Sequence, residues 1–238
     1  MPLLQPMPSI TIDRVKLAEF GTAWKNNGRS IGRNPPYSSK NLGKLFDNAV
    51  GTALSTLLGN IPVVQLPENN RRLIPPEADC VEVGDVRVIG GVRSQNYDVG
   101  YRPDGIRFAY DTKTLNDTKS IGKNWQNMVN DLATEATNVH SRFPYAVVAF
   151  LVAIPEPSAT ASQRRPIIET LERLARRSLV DDPLYMAEAI SLVLWNPDDG
   201  TIDLSIPGPN SPIRFDNISS QIELAYTSRY KGLPPHTS

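Results

Sequence analysis

The sequence predicts an α/β fold in which helices flank a central mixed β-sheet. Apolar residues repeat with a helical period over residues 41–58 and 118–142, whereas residues 79–113 alternate with a period of two, which is typical of strands. A continuous apolar run over residues 145–154 indicates a strand that is buried on both faces. Strands that alternate with helices in this way favour a mixed sheet covered by helices.

The rest of the chain predicts further helices and strands around this centre. Further helices are expected over residues 11–26, around 166–179 and over 218–230. A passage from helix to strand is expected through 186–195, and a short strand over 201–206. Clustered Gly, Pro and Ser residues mark 28–40 as a loop, and 62–76 reads as irregular. The length suits a single domain over residues 1–238, with its core at about 41–154 and with 155–238 completing the fold.

Composition excludes several classes of protein. The chain contains 40% apolar and 21% charged residues, which is ordinary for a globular protein. It has no apolar run of the roughly 18 residues that a membrane span needs, and its N-terminus lacks the pattern of a signal peptide. The single cysteine, Cys80, fits a reducing compartment. We therefore expect a cytoplasmic protein with no membrane partner.

Charge and histidine content narrow the chemistry further. The net charge is zero, yet residues 14–44 hold seven basic residues against one acid, Glu19. This excess could meet nucleic-acid phosphates if it lies on one face, or it could be a solvated surface. His140 and His236 are the only histidines, so histidine-rich metal centres are excluded, and His140 is interpreted as a helix cap. No phosphate-binding G-x-x-x-x-G-K-[ST] loop is present, so no nucleotide cofactor is expected.

Residues 96–114 carry the strongest functional signal. Asp104-Gly105 lies between two alternating runs and predicts a two-residue hairpin turn, because such turns need positive φ. The apolar face of the hairpin would then pair Tyr101 with Phe108, Val99 with Tyr110 and Tyr97 with Thr112. The opposite face would pair Arg102 with Arg107, Gly100 with Ala109, Asp98 with Asp111 and Asn96 with Lys113.

This register places two aspartates opposite one another. The β-carbons of Asp98 and Asp111 would lie roughly 5 Å apart, and like charges directly opposite are destabilising. A divalent cation between the carboxylates would offset the repulsion, with Lys113 beside it on the same face. Oxygen ligands without thiolate or imidazole nearby select Mg²⁺. The alternative is a hairpin face that is merely exposed to water, but such a face usually carries Thr, Lys, Glu and Ser.

Asp98, a short spacer and then Asp111-Thr112-Lys113 at a strand end resemble the signature of the PD-(D/E)XK nuclease superfamily, to which most type II restriction endonucleases belong. The superfamily also carries an acid on the preceding helix, in a pattern similar to G-x-x-F-E, and residues 43–47 read GKLFD. The resemblance covers roughly residues 41–154 and implies a restriction-endonuclease-like fold. Because Asp47 departs from the usual Glu, other candidates for the third acid stay open, namely Glu19, Glu77 and Glu82.

The resemblance implies Mg²⁺-dependent hydrolysis of phosphodiester bonds in double-stranded DNA. Asp98, Asp111 and Asp47, with the carbonyl of Thr112, would hold the Mg²⁺, which polarises the phosphate and lowers the pKa of an attacking water. Lys113 would position that water and stabilise charge on the phosphate. DNA contacts are expected from the basic loop and from the start of the helix after the hairpin, at Arg29, Arg33, Lys40, Lys119, Lys123, Asn124 and Gln126.

Three functions are compatible with these residues. The first is a homodimeric type II restriction endonuclease, since two-fold protein symmetry suits palindromic DNA. The second is a DNA repair or junction-resolving nuclease with the same core. The third is a non-catalytic DNA-binding module, against which the intact set of Asp98, Asp111 and Lys113 argues.

Two further acids, Asp131 and Glu135, lie one turn apart and are interpreted as a solvated helix face.

Overall fold

A computed structural model describes residues 3–237, which form a six-stranded mixed sheet with strands in sequential order. The strands are β1 (Val63–Gln65), β2 (Val81–Ile89), β3 (Ser94–Tyr101), β4 (Phe108–Thr114), β5 (Val147–Pro155) and β6 (Ala189–Trp195). Strands β2, β3 and β4 form an antiparallel meander, whereas β1 is parallel to β2, β5 to β4 and β6 to β5. The predicted mixed sheet is therefore confirmed.

Five α-helices cover the two faces of the sheet. They are α1 (Arg14–Asn26), α2 (Ser39–Leu57), α3 (Ile121–His140), α4 (Ala161–Leu174) and α5 (Ile218–Tyr230). Helices α1, α2 and α5 share one apolar cluster with the first face, and α3 and α4 share another with the second. All nine residues of β5 are buried, as the continuous apolar run predicts. No helix in residues 3–237 combines the length and apolar composition needed to cross a membrane.

Helices α2 and α3 approach β4 from opposite faces of the sheet. Helix α2 begins after Ser38, whose side chain accepts a hydrogen bond from the Asn41 N–H, and its apolar stripe includes the fully buried Leu42 and Phe46. Helix α3 buries a stripe that includes Leu132 and Ala136. Any polar side chain on these two buried stripes is consequently directed at the sheet.

Three of the expected elements differ in the structure. Residues 63–65 form β1 inside the segment that was expected to be irregular. Helix α4 begins at Ala161 instead of near residue 166, because Thr160 and Gln163 form a capping box and Pro166 lies inside the helix. Residues 201–206 do not form a strand, since only Ile202 makes an isolated bridge, to Trp195.

The loop between β3 and β4 is longer than predicted, although the register is correct. Six residues, 102–107, separate the strands, and Gly105 alone among them has positive φ, at 118°. The observed pairs Val99 with Tyr110, Gly100 with Ala109 and Tyr101 with Phe108 are those that the alternation predicts.

The expected pairing of Arg102 with Arg107 is wrong. Arg102 binds both carboxylate oxygens of the buried Glu82 at 2.6 Å. Arg107 binds Asp104, and its guanidinium lies over the ring of Tyr230 on α5. A buried cation needs an opposite charge, so each arginine turns towards a separate acid instead of facing the other.

The antiparallel pairing of β3 and β4 stops at Val99, just before the aspartates. Strand β2 shifts register between Val83 and Val86, and Tyr97 joins the apolar cluster under α3 although Val99 joins the other. The expected pair of Tyr97 with Thr112 is therefore wrong: the Tyr97 hydroxyl instead donates to the Glu135 backbone carbonyl at 3.0 Å. Irregular strand positions of this kind re-aim side chains, here that of Tyr97.

Candidate active site

Four carboxyl groups and one lysine meet where β3 and β4 separate. Asp98 comes from β3, Asp111 and Lys113 come from β4, and the two flanking helices add Asp47 from α2 and Glu135 from α3. Asp47, Asp111 and Glu135 are 4%, 8% and 6% exposed, so the protein buries three acids next to one another. Burial of several like charges is costly, and the group needs protons or cations to compensate.

Asp98 and Asp111 lie close enough for a hydrogen bond between their carboxyl groups, although the regular pairing of β3 with β4 ends one position earlier, at Val99 and Tyr110. Burial, followed by the charges of Asp111 and Asp47, raises the pKa of Asp98 well above its usual range. Burial opposes ionisation of Asp111 too, but the hydrogen bond with Asp98 and the charge of Lys113 outweigh it and lower its pKa. The protonated form is therefore favoured at Asp98 and the ionised form at Asp111.

Thr112 connects this pair to Asp47. Its backbone N–H donates to Oδ2 of Asp98 at 2.9 Å, and its hydroxyl donates to Oδ1 of Asp47 at 2.6 Å. Tyr110 hydrogen bonds to the same hydroxyl at 2.7 Å. Burial raises the pKa of Asp47 well above its usual range, although the hydrogen bond from Thr112 opposes the shift. Asp47 is thus a second carboxyl group of the cluster at which burial favours the protonated form.

Lys113 is held between two acids. Its Nζ donates to Oδ2 of Asp111 and, at 2.8 Å, to Oε1 of Glu135. Burial would lower the pKa of Lys113, but the charges of Asp111 and Glu135 raise it above the usual value, so the lysine stays protonated. Burial and the charge of Asp111 raise the pKa of Glu135 to about 8, and its Oε2 is buried without a hydrogen-bond partner in residues 3–237.

Sequence reasoning missed Glu135. Its interpretation as part of a solvated helix face is wrong, because Glu135 lies beside the buried Leu132 and Ala136 on α3. The sequence contains a signal for its burial, since this acid lies within an apolar stripe of helical period.

The interpretation of His140 as a helix cap is wrong. His140 is buried and contacts Glu188 and the Leu184 carbonyl, and it takes no part in this cluster.

A cleft of about 190 Å³ opens onto the cluster. Asp47, Asp98, Asp111 and Thr112 line it from the inside, and its other lining residues include Ser39, Lys40, Lys44, Glu68, Asp85 and Thr114. Access to the carboxyl groups is therefore through a pocket with two lysines among its lining residues.

The other candidates for the third acid lie elsewhere. Glu82 is fully buried in its ion pair with Arg102. Glu19 contacts the Tyr37 hydroxyl, and the Glu77 backbone contacts Cys80. Asp47 is the one of the four candidates that lines the cleft.

All seven residues expected to contact DNA are exposed, and Lys40 among them lines the cleft. Thr118, just before α3, donates to the backbone carbonyl of Arg29 through both its N–H and its hydroxyl, so the basic loop lies against the start of α3. Asn116 fastens the same loop, since its side chain accepts from the Ile31 N–H and donates to Ser39. The side chains exposed in this region are Arg29, Arg33, Lys40, Lys119, Lys123, Asn124 and Gln126.

The donor set fits a hard divalent cation. Within residues 3–237 no three acidic, histidine or cysteine side chains already have the spacing of a metal site. The hydrogen bonds to Thr112 and Lys113 nevertheless occupy one oxygen each of Asp47, Asp98 and Asp111. The second oxygens are hard donors that could bind a cation.

Comparison with protein families, with curated proteins and with solved structures found no match to this chain.

Proposed function

We propose that this chain is a Mg²⁺-dependent nuclease that hydrolyses phosphodiester bonds in double-stranded DNA. The observation that carries the proposal is the cluster of Asp47, Asp98, Asp111 and Glu135: its three aspartates line a cleft, and Lys113 bridges Asp111 and Glu135. A buried cluster of carboxyl groups destabilises a fold unless protons or a cation neutralise it. Such clusters are typical of functional sites. Cleavage of DNA in Mg²⁺, with no cleavage in EDTA, is the direct test.

The three aspartates are proposed to hold the metal. Asp98 and Asp111 would each supply a carboxylate oxygen, and Asp47 would add a ligand from α2. Bound Mg²⁺ supplies a Lewis acid that polarises a phosphoryl oxygen and lowers the pKa of a bound water. The backbone carbonyl of Thr112 is a further proposed ligand, because Thr112 lines the cleft together with the three aspartates.

Lys113 acts as a fixed positive charge in this proposal. Because Asp111 and Glu135 raise its pKa, the ammonium donates hydrogen bonds and does not accept a proton. It would stabilise the charge that develops on the phosphate, and Glu135 would hold it in place from α3. Glu135 is thus a positioning residue, and Lys113 is the proposed catalytic residue.

Double-stranded DNA is the proposed substrate because exposed basic groups lie on the loop before α2 and at the start of α3. The basic loop and the start of α3 could contact phosphates on either side of the scissile bond. We further propose that the chain is a homodimeric type II restriction enzyme in the cytoplasm, since a two-fold dimer delivers one cut to each strand of a palindrome. A neighbouring gene for a DNA methyltransferase of the same specificity would distinguish this role from that of a repair nuclease.

Asp47→Asn is expected to raise the Mg²⁺ concentration at half-maximal cleavage by about tenfold or more, by analogy with the loss of supporting groups at other metal sites. The amide can still accept the Thr112 hydroxyl, so the fold keeps this contact. A Mg²⁺ titration of the cleavage rate measures the effect. Asp131→Asn on the exposed side of α3 is the matched control, and an unchanged titration for Asp47→Asn would remove Asp47 from the metal site.

A further inference from the structure

Helix α2 presents two lysines to the cleft beside the proposed metal ligand. Lys40, Lys44 and Asp47 all line the cleft, as expected for residues spaced by three and four on one helix face. Lys44 lies three residues before Asp47, which is about 4.5 Å along the helix axis. Lys40 lies seven residues before Asp47, about 10 Å along the same axis. Gly43, which also lines the cleft, leaves the space between them open because it has no side chain.

Both lysines bind the same acid from another segment. Oε1 of Glu68 lies 3.2 Å from Nζ of Lys40 and 3.3 Å from Nζ of Lys44. Hydrogen bonds from the two lysines lower the pKa of Glu68, which therefore stays ionised. Glu68 follows β1 and lines the cleft, so one carboxylate oxygen occupies the point on which the two ammonium groups converge.

We propose that Lys40 and Lys44 form a phosphate subsite for the nucleic-acid backbone and that Glu68 occupies this subsite in the free protein. Two ammonium groups that share one anionic oxygen are suited to a phosphate oxygen, which carries the same charge. All three side chains are about half exposed, so the ion pairs are weak and exchangeable. The assignment rests on the proposed function for the identity of the substrate, but it concerns binding and not cleavage.

The test is the affinity of the full chain for a fluorescent DNA duplex across a salt series, with Ca²⁺ in place of Mg²⁺. The double substitution Lys40→Gln and Lys44→Gln should weaken DNA binding. It should also reduce the magnitude of the slope of log K against log salt by up to about two units. Glu68→Gln should tighten binding by roughly threefold to tenfold, because it removes the competing anion. In the background of the two lysine changes, Glu68→Gln should have no effect on affinity.

Glu169→Gln provides a matched control, since Glu169 forms an exposed ion pair with Arg165 on α4, which packs on the other sheet face. Equal affinities of Glu68→Gln and Glu169→Gln would overturn the role of Glu68. An unchanged salt slope after the lysine changes, or a wild type that does not bind DNA, would overturn the subsite. DNA that is bound with the expected differences but never cleaved would support the subsite while refuting the nuclease.

Discussion

Lys113→Met is expected to lower the rate of DNA cleavage at saturating Mg²⁺ by about 10²–10³-fold, the usual loss when one fixed donor to a developing negative charge is removed. Lys113 contacts both Asp111 and Glu135, and its raised pKa keeps it charged, so no other group in the cluster can take over this role. Methionine keeps much of the side-chain volume, which limits the change to the charge. Single-turnover cleavage is the measurement.

Two controls separate catalysis from folding in this experiment. Lys231→Met makes the same change at an exposed position after α5 and should leave the rate unchanged. Binding of the DNA duplex in Ca²⁺ by Lys113→Met should stay close to that of the wild type. A cleavage rate within tenfold of the wild type would remove Lys113 from the mechanism.

Glu135→Gln is expected to stabilise the metal-free protein at alkaline pH. The pKa of Glu135 is about 8 in the folded protein against an ordinary value of 4.5, because burial and the charge of Asp111 favour the protonated form. The folded state therefore binds this proton more tightly than the unfolded state does. Its contribution to stability is complete below pH 4.5 and is lost as the pH rises through 8.

The size of this effect follows from the pKa shift. One pKa unit corresponds to about 1.4 kcal/mol, so ionisation of Glu135 costs the wild type on the order of several kcal/mol by pH 9. Glutamine cannot ionise and can still accept from Lys113. Urea unfolding in EDTA at pH 5, 7 and 9 should show a steep loss of stability for the wild type and a shallower one for Glu135→Gln. Parallel curves for the two proteins would contradict the assigned pKa, and the exposed Glu169→Gln should follow the wild type.

Hydrophobic alternation was sufficient to predict the centre of the site. The pairs Val99 with Tyr110 and Tyr101 with Phe108 follow from it, and they place Asp98 next to Asp111. The predicted turn is too short, but the predicted register is correct for these pairs. Burial of one face of the hairpin constrains the strand pairing more strongly than the length of the loop does.

The parts that failed depend on contacts between distant segments. Tyr97 changes face where β2 shifts register, and no local pattern in β3 reveals an irregularity in its neighbour. The sequence predicts an exposed Glu135, because an acid on a helix usually faces solvent. Its burial is explained by its ion pair with Lys113, which sequence periodicity does not reveal. Glu68 reaches Lys40 and Lys44 from 24 or more residues away. Such pairings are set by tertiary packing, which sequence periodicity does not encode.

Incubation of the purified chain with phage DNA, in Mg²⁺ and in EDTA, tests the central claim most directly. The wild type should produce discrete fragments on a gel in Mg²⁺ and leave the DNA intact in EDTA. The same protein with Asp98→Asn and Asp111→Asn should leave the DNA intact in both, because it lacks the carboxylates proposed to hold the metal. Intact DNA with the wild type in Mg²⁺, or equal cleavage by the wild type and the doubly substituted protein, would contradict the assignment of a nuclease site to this cluster.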